Sequence, residues 1–366
     1  MTIILALAVI FITIFLLNRF YRKNWSENLS VTLSFSSKEV YETDTVFLEE
    51  VIKNKKIVPV PILEVDFNLS RNLRFKNKEN NIVSDKLYRR DIFSLGSRQQ
   101  ITRRHALICM RRGVYDIDSA GITSYDLILK KKLGEVVKQS AFITVYPLRI
   151  SSRRLNPLYK VLNGDLSSSK RLIEDPFEFN GIRDYIPGDS VKTINWKASA
   201  KSSSLVVNKY SSTEKKEVTV ILDYSDDSTS DDYDLNEECI RLTASLCERF
   251  ILTGIQVRLI SNMKDCLTGD DIYQARIGSV KTCLTFLAKA EIKTYPDFEK
   301  YDSEISGSEN IILITKNIHS CPASGIIKDM AEKAFIIVPY KNEKPVISDP
   351  VVSRQDVIFW EYYEGN

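Results

Sequence analysis

Between Glu174 and Lys201 the chain reads EDPFEFNGIRDYIPGDSVKTINWKASAK, and here its chemically capable side chains are densest. Glu174, Asp175 and Glu178 open the stretch, Asp184 and Asp189 follow, and Arg183, Lys192 and Lys197 set the opposite charge among them. Carboxylates in pairs can do general acid–base work when one is desolvated and the other stays ionised. Carboxylates beside a turn are ordinarily solvated, however, and no histidine stands in the stretch to complete a nucleophile–base pair. Arg183 matches Asp189 or Glu178 as a fork, two N–H groups against two oxygens. Trp196 is broad and flat with one N–H donor, suited either to packing across the unit or to meeting a partner. The candidate recognition residues are Arg183, Asp184, Tyr185, Pro187, Gly188, Asp189, Asn195, Trp196 and Lys197. A rigid scaffold without a partner accounts for the same residues.

Other reactive types are less promising. His319, Ser320 and Cys321 are neighbours in sequence, whereas catalytic triads are assembled across a fold from distant positions. There is no Walker loop and no dinucleotide fingerprint. The 51 basic and 48 acidic residues nearly cancel, so no electrostatic footprint for nucleic acid is present. Cys109, Cys239, Cys247, Cys266, Cys283 and Cys321 include no C-x-x-C pair. They read as buried thiols in a reducing compartment. Lys130-Lys131-Lys132 and Arg153-Arg154 are short basic runs, read as solvated surface that could brush anionic lipid.

The elements that must position these groups are legible in outline. Pro187-Gly188 fits the centre of a type II turn, which predicts Gly181–Tyr185 running antiparallel to Ile194–Ala198. Upstream, residues 27–150 predict a β-sandwich: SVTLSF at 30–35, TVFLEEVI at 45–52, ILEVDFNL at 62–69, then 100–110 and 141–146. Residues 151–172 read as a polar, mobile connector. From Val218 the period changes. VTVIL at 218–222 is a buried parallel strand, a helix follows over 235–252, and strands at 257–260, 311–315 and 335–338 alternate with helices over 280–290 and 327–334. Residues 351–360 add a last strand. At the start, Ile3–Leu17 is apolar apart from Thr13, and Phe20, Tyr21 and Trp25 follow as an interfacial aromatic cluster would. No basic residue precedes the run and no small-x-small cleavage site precedes Asn24, so residues 1–23 read as an uncleaved anchor. Arg19, Arg22 and Lys23 just after it put the bulk of the chain on the cytoplasmic side.

The order of residues 174–201, together with Arg111-Arg112-Gly113-Val114-Tyr115, Ser124-Tyr125-Asp126-Leu127 and Val145-Tyr146-Pro147, resembles the bacterial "domain of unknown function 58" family. The resemblance implies a membrane-anchored protein with a von Willebrand factor A-like C-terminal domain, commonly associated with MoxR-type AAA+ ATPases. Members usually show two anchoring helices in tandem, and this chain shows one. Von Willebrand A domains hold Mg2+ through Asp-x-Ser-x-Ser after the first strand. Here Asp223 and Ser225 match that pattern and Asp227 stands in the last position. The aspartate such domains carry after a later strand is replaced by Thr315-Lys316-Asn317. The implied metal set is therefore degenerate: Asp223, Ser225 and Asp227, with Mg2+ as the cation it would take.

The sequence thus predicts an anchor at 1–23, an all-β sandwich at 27–150, a linker at 151–172, and a doubly wound, mostly parallel α/β domain at 173–366. The function expected is that of a non-enzymatic interaction or scaffold protein of the cell membrane, single-pass, partnered by the lipid bilayer and an AAA+ ATPase, with no nucleic acid. Two rivals stay open. One is a metal-dependent adhesion module of the envelope, and the other is an envelope hydrolase using carboxylates near 174–189.

Overall fold

A computed structural model of the chain describes residues 2–76, 81–83, 86–126, 128–168, 174–187, 189–202, 204–212, 217–223, 230–291, 305, 308, 310–316, 334–345 and 356–363. The chain divides into two units: Met1–Arg149 with Lys264–Asp270 and Leu284–Glu291, and Ile150–Met263 with Asp271–Cys283 and Ile292–Asn366.

The first unit opens with helix α1 (Thr2–Lys23). Its strands are β1 (Leu29–Phe35), β2 (Glu39–Tyr41), β3 (Thr45–Asn54), β4 (Val60–Ser70), β5 (Leu73–Phe75), β6 (Asn81–Val83), β7 (Lys86–Leu95), β8 (Gln100–Cys109), β9 (Gly113–Tyr125) and β10 (Lys132–Tyr146). They form a four-stranded sheet, β1-β3-β8-β5, and a six-stranded sheet, β2-β10-β9-β4-β7-β6. Pairing is antiparallel except between β2 and β10. Alternation drives this arrangement. In β3 the side chains of Val46, Leu48, Glu50 and Ile52 point inward, and Leu63, Val65, Phe67 and Leu69 do so in β4. One core takes side chains from both sheets. Each large apolar side chain withdrawn from water here contributes roughly 1.5–3 kcal/mol. The sequence missed β7 and β9, because polar residues such as Asp116, Asp118 and Ser119 dilute the alternation.

The aromatic cluster at the end of α1 is corrected in part. Phe20 is exposed, but Tyr21 and Trp25 are buried in the sandwich core. Asn18 and Tyr21 are three apart on the helix, so one face of its last turns points at the sheets, and Trp25 follows in the bend after Lys23. The side chains described from Ile4 to Leu17 are exposed. That run extends roughly 20 Å along the helix axis. Among the described residues no helix is long and apolar enough to cross a membrane.

The Arg112-Gly113-Val114-Tyr115 phrase has a structural use. The Arg112 guanidinium donates to the carbonyls of Leu287 (2.8 Å) and Ala290 (2.7 Å), while its backbone N–H donates to Glu42 Oε1 (2.8 Å). Gly113 has φ +150°, and a Cβ there would meet the Tyr115 ring at 2.9 Å.

The second unit contains α2 (Ser152–Ser168), β11 (Glu174–Asp184), α3 (Trp196–Ser202), β12 (Val206–Ser212), β13 (Glu217–Leu222), α4 (Ser230–Leu252), β14 (Gln256–Asp265) apart from its last two residues, β15 (Asp271–Ile277), the start of α5 (Val280–Lys289), β17 (Ile311–Ile314), β18 (Ala334–Tyr340) and β19 (Asp356–Glu361); the rest of α5 and β16 (Ala290–Glu291) belong to the first. The large sheet runs β15-β14-β13-β17-β18-β19, with β16 on β14. The strands from β14 to β19 in that order are parallel. β13, β17 and β18 are buried almost throughout, as sheets covered on both faces must be. The expected parallel sheet is thus present, and the strand expected at 351–360 appears as β19. The helix expected over 327–334 lies, but for Ala334 in β18, outside the described residues.

Two expectations fail. Residues 152–168 form helix α2 rather than a mobile connector, with Leu155, Leu158, Tyr159 and Leu162 buried. Their i, i+3, i+4, i+7 spacing is amphipathic, and the polar composition around Asn163-Gly164-Asp165 disguised it. Residues 196–198 belong to α3 and not to a strand. β11 pairs instead with β12, and Ile194 makes a single bridge to Val207.

Replacing Gly113 with alanine should cost about 1–3 kcal/mol through the strained backbone and the Tyr115 clash. A lowered thermal midpoint of the first unit checks this, and an unchanged midpoint contradicts it.

Candidate functional site

The signature hairpin is held by a small set of polar contacts. Arg183 Nη1 and Nη2 donate to Asp189 Oδ2 and Oδ1 at 2.6 and 2.7 Å, the forked geometry that guanidinium and carboxylate favour. Asp189 Oδ2 also accepts from the backbone N–H of Ile186 (2.9 Å), and Asp189 N–H donates to the Ile186 carbonyl (3.0 Å). The turn is therefore closed by its own aspartate; Gly188 lies outside the described residues. The Arg183 guanidinium beside it, helped by the Ile186 N–H, holds the Asp189 carboxyl down at about 2. Tyr185 N–H donates to the Leu205 carbonyl (2.9 Å), and Arg183 also reaches the Asp184 carbonyl (3.1 Å).

Asn195 is a helix cap. Its Oδ1 accepts from Ala198 N–H (2.9 Å) and its Nδ2 donates to Asn208 Oδ1 (2.8 Å). Trp196 follows as the first residue of α3 and is 62% exposed. Ile182, Ile186, Val191 and Leu205 are also exposed large apolar residues of this segment. Asp184, Pro187 and Lys197 are exposed, while Tyr185 is half-buried. The side chains of Glu174, Asp175 and Glu178 lie outside the described residues.

A second candidate lies where the parallel sheet changes direction. The chain passes from β13 to β14 on one side and returns to β17 on the other, which opens a crevice at the carboxyl ends of β13 and β17. Asp223 follows β13 there and is fully buried. Its Oδ1 accepts from Asn262 Nδ2 on β14 and its Oδ2 from the Thr315 hydroxyl after β17, both at 2.8 Å. Ser225 and Asp227 lie outside the described residues. Asn262 and Thr315 thus donate to Asp223, and Lys316 follows Thr315. The Thr315 hydroxyl and the Asn262 amide also carry hard oxygens of the kind a divalent cation takes. Burial and the nearby Asp223 and Glu238 push the Cys239 thiol up, which makes it a poor nucleophile.

A third cluster was invisible in the sequence, because its members sit on three strands. Glu50 on β3, Asp91 on β7 and His105 on β8 are buried and lie within 4.8 Å of one another through their ligand atoms. His105 Nε2 is 3.3 Å from both Glu50 Oε2 and Asp91 Oδ2. Metal ligation is opposed by two arginines: Arg89 Nε and Arg103 Nη1 reach Asp91 at 2.8 and 2.7 Å. Arg89 also lies over the Phe75 ring and Arg103 over Phe93. The cluster is best read as an ion network that cross-links the two sheets. Burial pushes the Glu50 carboxyl up, against the opposing hydrogen bond from His105. A raised carboxyl favours folding at low pH, and that contribution is lost as pH rises from the ordinary 4.5 through the folded value.

Two outcomes follow. The Asp189 carboxyl should titrate near 2 by NMR and move toward 3.8 in Arg183→Gln; an ordinary midpoint in the unsubstituted chain contradicts the fork. Asp91→Asn should lower the thermal midpoint of the first unit by removing the buried carboxylate that Arg89, Arg103 and His105 share, and an unchanged midpoint contradicts the network. Glu50→Gln should leave the midpoint at pH 7 equal or higher and flatten its fall with rising pH. A large loss in Glu50→Gln at pH 7 would mean that the carboxylate form carries the network.

The comparisons with known proteins are sparse. No curated protein matches the chain in sequence. Among solved structures, the CARDB domain of a Pyrococcus furiosus protein, in complex with di-metal ions, is 16% identical over 32% of this chain and 94% of that one, with a TM-score of 0.22. A non-cellulosomal cohesin from Archaeoglobus fulgidus is 11% identical over 36% and 97%, at a TM-score of 0.23. A type I cohesin–dockerin complex from Clostridium thermocellum gives 8% over 32% and 99%, at a TM-score of 0.22. Likenesses this weak carry no argument. Residues 181–268, which begin within the signature hairpin and end just past β14, match the family model described as "Protein of unknown function DUF58", and this supports the family resemblance read from residues 174–201.

Proposed function

We propose that this chain is a membrane-anchored, non-enzymatic interaction protein whose recognition face is the signature hairpin. The observation that carries the reading is the exposure of Trp196 on a segment whose backbone is fixed by the Arg183–Asp189 fork and the Asn195 cap. A broad aromatic left in water on a rigid mount contributes contact area at little entropic cost, which is how binding hot spots are built. A hydrolase would need one carboxyl raised by burial, whereas Asp189 is held at about 2 by its arginine.

The parallel sheet, with Asp223 at its switch point, supports a von Willebrand factor A-like reading of the second unit. The exposed apolar side chains of α1, followed by Arg19, Arg22 and Lys23, support an anchor with the rest of the chain on the cytoplasmic side. The family resemblance supports a MoxR-type AAA+ ATPase as the partner.

Crosslinking and pull-down from native membranes tests this. Trp196→Ala should weaken capture of one AAA+ ATPase by roughly tenfold or more, while Lys209→Ala on β12 leaves it intact. Identical capture by wild type and Trp196→Ala would remove the hairpin as the recognition face.

A further inference from the structure

Two loops at the α1 end of the sandwich share an unusual design. The loop between β9 and β10 presents Ile128 and Leu129, 50% and 59% exposed, followed at once by Lys130, Lys131 and Lys132. The loop between β3 and β4 presents Ile57, 72% exposed, and Val58 after Lys55 and Lys56. The antiparallel register of Leu63 with Ser124 brings the start of β4 and the end of β9, and hence both loops, to the same end of the sheet.

Both loops are tied to the last turns of α1. Asp126 is buried and accepts from Asn18 Nδ2 (3.1 Å) and from the backbone N–H groups of Lys130 (2.8 Å) and Lys131 (3.1 Å). Leu129 N–H donates to the Asp126 carbonyl (2.8 Å). Leu129 itself sits at φ +57°, a left-handed conformation uncommon for a bulky residue. The loop is thus built, rather than frayed, with Ile128 and Leu129 turned outward. On the other side Lys56 Nζ donates to the Trp25 carbonyl and lies over the Tyr21 ring.

We infer that these loops rest on an anionic lipid surface, with Ile128 and Leu129 entering the interfacial layer and Lys130 and Lys131 meeting the phosphate headgroups, while Lys132 at the start of β10 pairs with Glu64 (3.5 Å). The inference rests on the anchoring reading and goes beyond it, since an anchor alone requires no second contact. Two features select lipid as the occupant. The Asn18–Asp126 contact tethers the loop that carries Ile128 and Leu129 to the helix whose preceding turns expose the side chains described from Ile4 to Leu17. The flanking cations, joined by Arg19, Arg22 and Lys23, complement an anionic leaflet. Short apolar tips ringed by lysine can bury aliphatic carbon while the ammonium groups stay at headgroup level.

The test uses the full-length chain reconstituted in vesicles that carry nitroxide-labelled lipid. An environment-sensitive fluorophore is placed at Leu129→Cys, and in a separate preparation at Leu5→Cys on α1. Each is compared with the unsubstituted chain taken through the same labelling. The Leu129→Cys label should be quenched at least roughly threefold more in vesicles containing phosphatidylglycerol than in phosphatidylcholine alone. Lys130→Gln combined with Lys131→Gln should abolish the difference. The Leu5→Cys label should be quenched in both vesicle types. Quenching at Leu5→Cys without quenching at Leu129→Cys overturns the inference and leaves the anchor standing. Equal quenching at Leu129→Cys in both vesicle types overturns the headgroup contact. No quenching at either position overturns the anchoring reading and the inference with it.

Discussion

The junction between α1 and the sandwich constrains how the first unit can meet anything else. Asn18 and Tyr21 lie on one face of the helix, Trp25 follows in the bend after it, and all three are buried. Asn18 donates to Asp126, so the helix ends inside the core and not on a flexible stalk. Removing a buried aromatic of this size would leave a cavity costing on the order of 3–5 kcal/mol. The end of the helix and the β9–β10 loop are therefore parts of one packed body.

Inside the same unit, the Glu50–Asp91–His105 network with Arg89 and Arg103 plays a comparable part between the two sheets. Burying charge costs several kcal/mol per ion unless the partners are close and well aligned. Asp91 meets that condition through its two arginines. Glu50 meets it less well, which is why burial pushes its carboxyl up. In the second unit the polar group at the crevice is likewise satisfied from within, by Asn262 and Thr315 on neighbouring strands. The exposed, rigid and chemically uncommitted feature of that unit is the face around Trp196.

Much of this was readable from residue order. The β-branched, apolar run TVFLEEVI marked β3, alternation in ILEVDFNL marked β4, and the continuous apolar run VTVIL marked β13. The Arg183–Asp189 fork was one of the two pairings that chemistry offered, Glu178 being the other, and the structure shows the first. Other features were hidden for identifiable reasons. Asn195 looked like a strand residue but caps a helix, and the run Trp-Lys-Ala-Ser-Ala-Lys after it was the available signal. Tyr21 and Trp25 looked interfacial because composition does not reveal which side of a helix faces the sheets. Glu50 and His105 are 55 residues apart with Asp91 between them on a third strand, and strand pairing and sheet packing bring the three together. Asn18 and Asp126 meet across 108 positions, which no local pattern encodes.

Rigidity at the α1 junction is the claim most directly open to measurement. Spin labels at Phe15→Cys on the helix and Leu129→Cys on the β9–β10 loop, in the full chain reconstituted in a bilayer, report that distance by double electron–electron resonance. A helix locked into the core gives one narrow distance distribution, which broadens when Asn18 and Asp126 are both replaced by alanine. A broad distribution in the otherwise unsubstituted chain would contradict the lock and separate the helix from the sandwich.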